Sequence, residues 1–196
     1  LSNDIRLSRI FYICQNIKNM EQREGPRIGK PQYYLNIAKE VARRSTCLRR
    51  HYGAVIVNND QIVSTGYAGA PRRTANCTEI GTCIRIKLGV PKGEHYEWCR
   101  AVHAEQNAII HAARFDMIGA TLYLVGVSPE TGEVIEGAEP CRICKSMIIN
   151  AGIAQVFIET PPGRHKIQRA ADWVRNNLGE LRRVRGRWRP VMPKGY

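Results

Sequence analysis

Two short motifs constrain this chain more than any other feature: His103-Ala104-Glu105, and Pro140-Cys141-Arg142-Ile143-Cys144 further along. One histidine and a cysteine pair supply three zinc ligands and leave the fourth tetrahedral position for water, as in catalytic rather than structural sites. Glu105 follows His103 closely enough to exchange a proton with that water. A structural zinc knuckle, or a helical histidine with an unrelated cysteine pair, remains the alternative. Neither alternative accounts for Glu105.

Both motifs are predicted to open helices, at about residues 103–114 and 141–151, with Gly152 as the C-cap of the second helix. A helix N-terminus carries about half a positive charge, which favours a thiolate. Pro140 suits a helix entry, where its missing N–H costs little. If the two helix starts face each other, ligands far apart in sequence come together.

Hydrophobic periodicity gives the remaining elements. Further helices are predicted over 3–20, 32–46 and 165–178. Strands are predicted over 53–57, 61–66, 121–127 and 154–158. A long loop should cover 68–98, with a short helix near 79–88, and a turn at 129–133 should lead into an inserted hairpin. This order predicts an α/β protein with three α/β/α layers and a mixed sheet.

Length and composition limit the domain organisation and the location. A chain of 196 residues suits one domain with extensions, which we divide into an N-terminal helix and linker (1–30), a zinc-dependent domain (31–160) and a C-terminal helix with a basic tail (161–196). The sequence has no apolar run of membrane-spanning length, and charges interrupt its first 20 residues, unlike a secretory signal. We expect a cytoplasmic protein whose seven cysteines are metal ligands or reduced thiols.

The charge balance favours an anionic partner. Thirty Lys and Arg against 17 Asp and Glu give a formal net charge of +13. Nucleotide phosphates, RNA and DNA fit that charge, although a solvated basic surface explains it equally well. The arginine-rich segment 181–196 is interpreted as an edge strand with a solvated tail or an oligomer contact, and less readily as an arm for nucleic acid.

Several segments in order resemble the cytidine/deoxycytidylate deaminase family, and its deoxycytidylate (dCMP) branch in particular. The resemblance runs from about Tyr33 to Glu159 and rests on the segments 42–47, 53–57, 65–71, 99–109, 119–123 and 140–153. It implies the cytidine deaminase-like α/β/α fold with a mixed five-stranded sheet. It also implies hydrolytic deamination at C4 of a cytosine nucleotide, most simply dCMP to dUMP and ammonia, in pyrimidine deoxynucleotide metabolism.

The same resemblance assigns roles to residues. Glu105 would shuttle the proton, His103, Cys141 and Cys144 would hold the catalytic zinc, and Ala104 would face the pyrimidine carbonyl. A second, structural zinc is implied at Cys47, Cys77 and His95, which match the family's positions, with Cys99 near the fourth position although its spacing differs from the family's. Cys83 is the spare ligand, and unligated thiols are the alternative. Cys14 is interpreted as a core residue of the first helix.

The resemblance is least complete on the phosphate side of the substrate. Arg114 matches the arginine that is implied to contact the phosphate, and Tyr67 is a further expected substrate contact. Ala68 stands where the branch usually has an asparagine that contacts sugar or phosphate. An insertion, Glu130 to Glu139, is expected to rim the pocket. Members of this branch are often oligomers, so a homo-oligomer is expected.

Two other functions fit parts of the sequence. The net charge and basic tail would allow deamination of a base in RNA or single-stranded DNA, but such enzymes usually present aromatic stacking platforms, and this chain has three Trp and three Phe. A non-catalytic zinc-stabilised binding module is the other alternative. Such a module has no use for a proton-carrying Glu105.

Overall fold

A mixed five-stranded sheet forms the centre of the computed structural model, which describes residues 27–91, 94–161, 163–179 and 181–191. Its strands are β1 (His51–Asn58), β2 (Gln61–Tyr67), β3 (Thr121–Val127), β4 (Gln155–Thr160) and β5 (Arg164–Arg169). They lie in the order β2-β1-β3-β4-β5, with β3 and β4 parallel and the other neighbouring pairs antiparallel. The predicted α/β class with a mixed five-stranded sheet is confirmed.

Helices cover both faces of this sheet. They are α1 (Lys30–Ala42), α2 (Cys77–Ile80), α3 (Ile84–Lys87), α4 (Ala104–Ile110), α5 (Arg114–Met117), α6 (Arg142–Ala151) and α7 (Ala170–Arg175). Helix α1 packs on one face, while α4 and α6 contact each other over the opposite face. None of the described helices could cross a membrane. The predicted helix over 3–20, with Cys14, lies outside the described residues.

The alternation of side chains along β1 divides the core in two. Val55 and Val57 pack with α1, whereas Ala54 and Ile56 join the cluster beneath α4 and α6. Successive side chains of a strand point to opposite faces, so one apolar run serves both layers. At Gly53 the sheet has no side chain, and an added Cβ would lie 2.1 Å from the carbonyl oxygen of Ala38 in α1.

The helix predicted over 165–178 is wrong in its first part. Residues Arg164–Arg169 form β5, which pairs antiparallel with β4, and helix α7 begins only at Ala170. The spacing of Ile167 with later apolar residues is helical, but pairing along the open edge of β4 satisfies its backbone groups and overrides that periodicity. The Pro-Pro-Gly at 161–163 was the available turn signal, and Gly163 has a positive φ of 60°. The sheet therefore extends beyond residue 160, where we placed the domain boundary.

Two smaller differences concern connections. The helix predicted over 103–114 ends at Ile110, where the ring Nδ1 of His111 lies 3.1 Å from the carbonyl oxygen of Thr65 on β2. After β3 the insertion forms a single bridge between Val127 and Val134 rather than a regular hairpin. Farther on, β6 (Leu181–Val184) and β7 (Arg187–Pro190) form a separate two-stranded hairpin.

Candidate active site

The starts of α4 and α6 meet on one face of the sheet. His103 is the N-cap residue of α4 and Cys141 is the N-cap residue of α6, both with extended backbone. His103 Nδ1 lies 3.4 Å from Cys141 Sγ and 3.4 Å from Cys144 Sγ. The Oε1 atom of Gln106 accepts a 2.9 Å hydrogen bond from the backbone N–H of His103, which fixes the entry to α4. The structure thus brings together the three ligands that the sequence predicts.

The spacing of these three atoms suits a tetrahedral zinc ion. Standard Zn–N and Zn–S bonds at tetrahedral angles separate a nitrogen from a sulfur by about 3.6 Å, close to the observed distances. Among the described residues, His103, Cys141 and Cys144 are the only group of three whose possible ligand atoms all lie within 4.8 Å of one another. The donor set leaves a fourth tetrahedral position unfilled by protein.

The local electrostatics favour a thiolate at this position. A hydrogen bond from the Cys144 thiol, together with one from His103, lowers the pKa of Cys141 to about 4. Sharing that proton raises the pKa of Cys144, and burial raises it further. Because zinc binds thiolates rather than thiols, a pair that already holds one negative charge is prepared for the metal.

Glu105 is the acidic group of the site. It follows the N-cap residue His103 by two positions, and only 4% of its surface is exposed to solvent. Burial raises the pKa of this carboxyl, while the nearby His103 lowers it to a smaller extent. A carboxylate whose pKa is raised takes up a proton more readily than an ordinary carboxylate, and it can release that proton later in a reaction.

A close contact with β2 sets the position of α4. An added Cβ at Gly66 would lie 2.3 Å from the carbonyl oxygen of Ala104 and 2.3 Å from the backbone nitrogen of Ala108. The Ser64 hydroxyl donates a 2.7 Å hydrogen bond to the Ala108 carbonyl. Asn107 Nδ2 donates to the Tyr67 carbonyl at 2.8 Å. The helix that carries His103 and Glu105 therefore lies directly on the strand backbone.

A cavity of about 150 Å³ opens beside these groups. Glu105, Ala104 and Ala68 line it, together with Tyr52 and Tyr96. The Tyr96 ring meets the His103 ring edge-on, with centroids 5.4 Å apart. The sequence interpretation missed both tyrosines. Tyr52 could have been found from its two-residue spacing to Ala54, which faces α4, whereas nothing local marks Tyr96.

Residues from the insertion lie beside the site. Glu139 lines the cavity, and Gly137 lines an adjoining cleft of about 300 Å³ that reaches the start of α6. A segment that we expected to rim the pocket thus contributes at least these two residues to its walls.

Four more cysteines line the same cavity: Cys47, Cys77, Cys83 and Cys99. Burial, and then the charges of the other three sulfurs, raise the pKa of Cys77. The backbone N–H of Arg49 donates a 3.5 Å hydrogen bond to Cys47 Sγ. His95 is not among the residues that line this cavity: its Nδ1 lies 2.8 Å from Glu97 Oε1 and its ring stacks on Trp98.

Two of the expected substrate contacts lie outside the pocket. Arg114 begins α5, beyond the end of α4, and its Nε donates a 3.2 Å hydrogen bond to the carbonyl of Asn150 at the far end of α6. Tyr67 is not among the residues that line either cavity, although its neighbour Ala68 is.

Comparisons with known proteins point to one family. The model of the cytidine and deoxycytidylate deaminase zinc-binding region matches residues 29–160. A deoxycytidylate deaminase of Mycobacterium phage D29 is 40% identical over 130 residues, covering 64% of this chain and 90% of that protein. A deoxycytidylate deaminase of Saccharomyces cerevisiae is 36% identical, covering 77% of this chain and 46% of that protein.

A solved structure is also similar. The dCMP deaminase of cyanophage S-TIM5 is 25% identical, with 68% of this chain and 85% of that chain covered and a TM-score of 0.47. The family model spans well over half of the chain and includes both motifs of the site. The chain belongs to the cytidine and deoxycytidylate deaminase family.

Proposed function

We propose that this chain catalyses the zinc-dependent hydrolytic deamination of a cytosine nucleotide, converting dCMP and water to dUMP and ammonia. The observation that carries the proposal is the buried Glu105 beside the open set of His103, Cys141 and Cys144. Relatives named deoxycytidylate deaminase support the choice of substrate. Zinc held by these three residues would supply Lewis-acid activation of a water molecule.

The residues of the chain would then move protons and hold the base. Glu105 takes one proton from the attacking water and delivers it to N3 of the base. It then takes the remaining proton from the new C4 hydroxyl and delivers it to the departing amino group, so that the C4–N bond breaks, ammonia leaves and the C4 carbonyl forms. Burial raises the pKa of Glu105, which favours the uptake of a proton by this carboxylate. Ala104 presents a small side chain that lets the pyrimidine approach the backbone, and Tyr52 and Tyr96 form the aromatic walls.

Substitution of Glu105 tests the mechanism. Glu105→Gln should keep the fold and the zinc but abolish ammonia release, because the amide cannot carry the proton. Glu159→Gln is the matched control, since Glu159 is equally buried, at 5% exposure, but lies on β4 away from the pocket lining. Ammonia release that survives Glu105→Gln would refute the proton-shuttle role.

A substrate panel tests the rest of the proposal. Deoxycytidine, dCMP, dCTP, cytidine and a single-stranded oligonucleotide should be compared, with dCMP expected to give the highest kcat/KM. The replacement of the usual asparagine by Ala68, which lines the cavity, makes this comparison necessary. Preference for the oligonucleotide would favour the nucleic-acid alternative.

A second zinc, with a structural role, belongs to the same proposal. Cys83 would replace His95 as the fourth ligand beside Cys47, Cys77 and Cys99, because Cys83 lines the same cavity as these three cysteines, whereas His95 Nδ1 lies against Glu97. These four sulfurs are not within 4.8 Å of one another as a set, so binding would draw them together. Metal analysis should return two zinc per chain, one in Cys83→Ser and two in His95→Ala. One equivalent in the unsubstituted protein would remove the second site.

The state of the protein in solution completes the proposal. Three large apolar side chains at the end of α4 and around α5 are exposed: Ile110 at 65%, Phe115 at 85% and Ile118 at 50%. Exposed apolar residues in one segment support a homo-oligomer. Phe115→Asp should reduce the mass measured by light scattering. The six described cysteines form no disulfide with one another, which supports a reducing, cytoplasmic location that cell fractionation can test.

A further inference from the structure

The cleft of about 300 Å³ beside the cavity is continuous with it. Tyr52, Tyr96 and Cys141 line both spaces, so a ligand whose base lies at Glu105 can extend into the cleft without crossing a wall. Cys141 is the N-cap residue of α6, and the next residue, Arg142, belongs to the cleft. The cleft therefore begins at the metal ligands.

The cleft has a positive lining. Arg50, Arg142 and Lys145 contribute three cationic side chains, and Glu139 is its one described carboxylate. Glu139 is itself paired with Lys166 and lies 4.0 Å from Lys145 Nζ. The cleft lining therefore has a net positive charge. A nucleoside monophosphate carries a complementary charge of about −1.5 to −2 at neutral pH.

Two further arginines that line the cavity donate hydrogen bonds to backbone carbonyls. The Nη2 atom of the buried Arg85 donates to the carbonyls of Pro91 and Glu94. The Nη2 atom of Arg100 donates a 3.0 Å hydrogen bond to the carbonyl of Ala75. These two side chains brace the long segment between β2 and α4.

We propose that the cleft binds the 5′-phosphate of the substrate through Arg142 and Lys145, with Arg50 at the boundary between cleft and cavity, and that these residues make the site selective for nucleotides over nucleosides. This inference rests on the proposed function for the position of the base. Arginine can hold a phosphate through two parallel hydrogen bonds, and lysine adds a point charge. The assignment places the phosphate at the start of α6 rather than at Arg114.

Paired substrates test the assignment. For Arg142→Ala and for Lys145→Ala, kcat/KM for dCMP should fall by about 10- to 100-fold, chiefly through KM, since hydrogen bonds to charged groups are worth that factor. The value for deoxycytidine should not change, because this substrate has no phosphate to lose. Arg43→Ala is the control: Arg43 is an exposed arginine paired with Glu40 at the end of α1, and both substrates should keep their values.

Equilibrium binding gives a readout that does not depend on turnover. Calorimetry with dUMP and with deoxyuridine should show that Arg142→Ala weakens the binding of dUMP by the same factor and leaves the affinity for deoxyuridine unchanged. Absence of ammonia from every cytosine compound with the unsubstituted protein would refute the proposed function, and dUMP binding would still decide the cleft.

Three results would overturn the assignment. Equal losses for dCMP and deoxycytidine would show that Arg142 and Lys145 have a merely structural role. Unchanged dCMP kinetics in both variants would show that the phosphate lies elsewhere. A loss confined to dCMP in Arg100→Ala or in Arg114→Ala, but not in Arg142→Ala, would move the phosphate to those residues.

Discussion

Replacing Gly66 by alanine tests whether the contact between β2 and α4 positions the catalytic residues. The added Cβ would lie 2.3 Å from the carbonyl oxygen of Ala104 and 2.3 Å from the nitrogen of Ala108. Both neighbours are backbone atoms, so no side-chain rotation can relieve the overlap. Helix α4 must move away from the sheet, and it carries Glu105 at its start.

The size of that movement follows from the contact distances. Ordinary van der Waals contact of a Cβ begins at 3.4 Å, so α4 must shift by about 1 Å. Overpacking of this kind costs about 1–3 kcal/mol of stability. A misplacement of about 1 Å at a catalytic group can lower the rate by about 100-fold.

Gly53→Ala is the matched control for Gly66→Ala. Its Cβ would lie 2.1 Å from the carbonyl oxygen of Ala38, so it displaces α1, which carries none of the residues lining the cavity. Urea unfolding should show comparable losses for the two variants, whereas the 100-fold loss of kcat/KM for dCMP should occur in Gly66→Ala alone. Zinc content per chain should be measured in both. Full activity in folded Gly66→Ala, or an equal loss in Gly53→Ala, would refute this explanation of how α4 is placed.

Three further predictions concern stability. The Tyr34 hydroxyl donates a 2.6 Å hydrogen bond to Asp60 Oδ1, and this bond, with burial, raises the pKa of Tyr34 from 10.0 to about 12. A phenol with a raised pKa stabilises the folded state below pH 10, and this contribution is lost between about pH 10 and 12, so the stability difference between the unsubstituted protein and Tyr34→Phe should shrink over that range in urea unfolding. Ile148→Ala, in the fully buried face of α6, should cost about 2–5 kcal/mol, against less than about 0.5 for the half-exposed Ile143→Ala, and equal costs would contradict the packing of α6. Removal of zinc by a chelator should speed amide hydrogen exchange in the segment around α2 and α3 more than in β3, and a uniform change would count against the second metal.

Local sequence predicts the elements whose burial is simple. The strand predicted over 121–127 coincides with β3, which is buried along nearly its whole length and needs no alternation to be recognised. Gly152 ends α6 with a φ of 84°, as expected of a C-cap glycine. Strand β5 was missed because its exposed and half-buried residues follow the edge of β4 rather than a core.

The three candidate metal ligands could be predicted, whereas most of the residues that line the pocket could not. A histidine and a cysteine pair identify themselves by type and spacing. Tyr96 reaches His103 only because the long segment after β2 folds back over the site, and the approach of Cys83 to Cys47 depends on the same fold. Such contacts join residues far apart in sequence, so they cannot be predicted from periodicity or from the spacing of residue types.

The strand directions explain why the whole site lies beyond one set of strand ends. Strands β2 and β3 are both antiparallel to β1, so they run in the same direction. Helix α4 follows β2 and α6 follows β3, so both helices begin beyond the same ends of the strands, where ligand sites of α/β sheets form. The N-terminal end of β1, which includes Tyr52, lies at the same ends of the strands, because β1 runs in the opposite direction.

The same topology limits which residues can contact a substrate within one chain. The connections from β2 to α4 and from β3 to α6 supply Tyr96 and Glu139, which therefore lie beside the metal ligands. Arg114 follows α4 and is bonded to Asn150 near the end of α6, so it lies at the opposite edge, about a helix length of 15 Å away. From this position we expect Arg114 to contact a substrate that is bound by another copy of the chain, if it contacts one directly. For this reason we place the phosphate of a substrate bound within one chain at Arg142, one residue from a metal ligand.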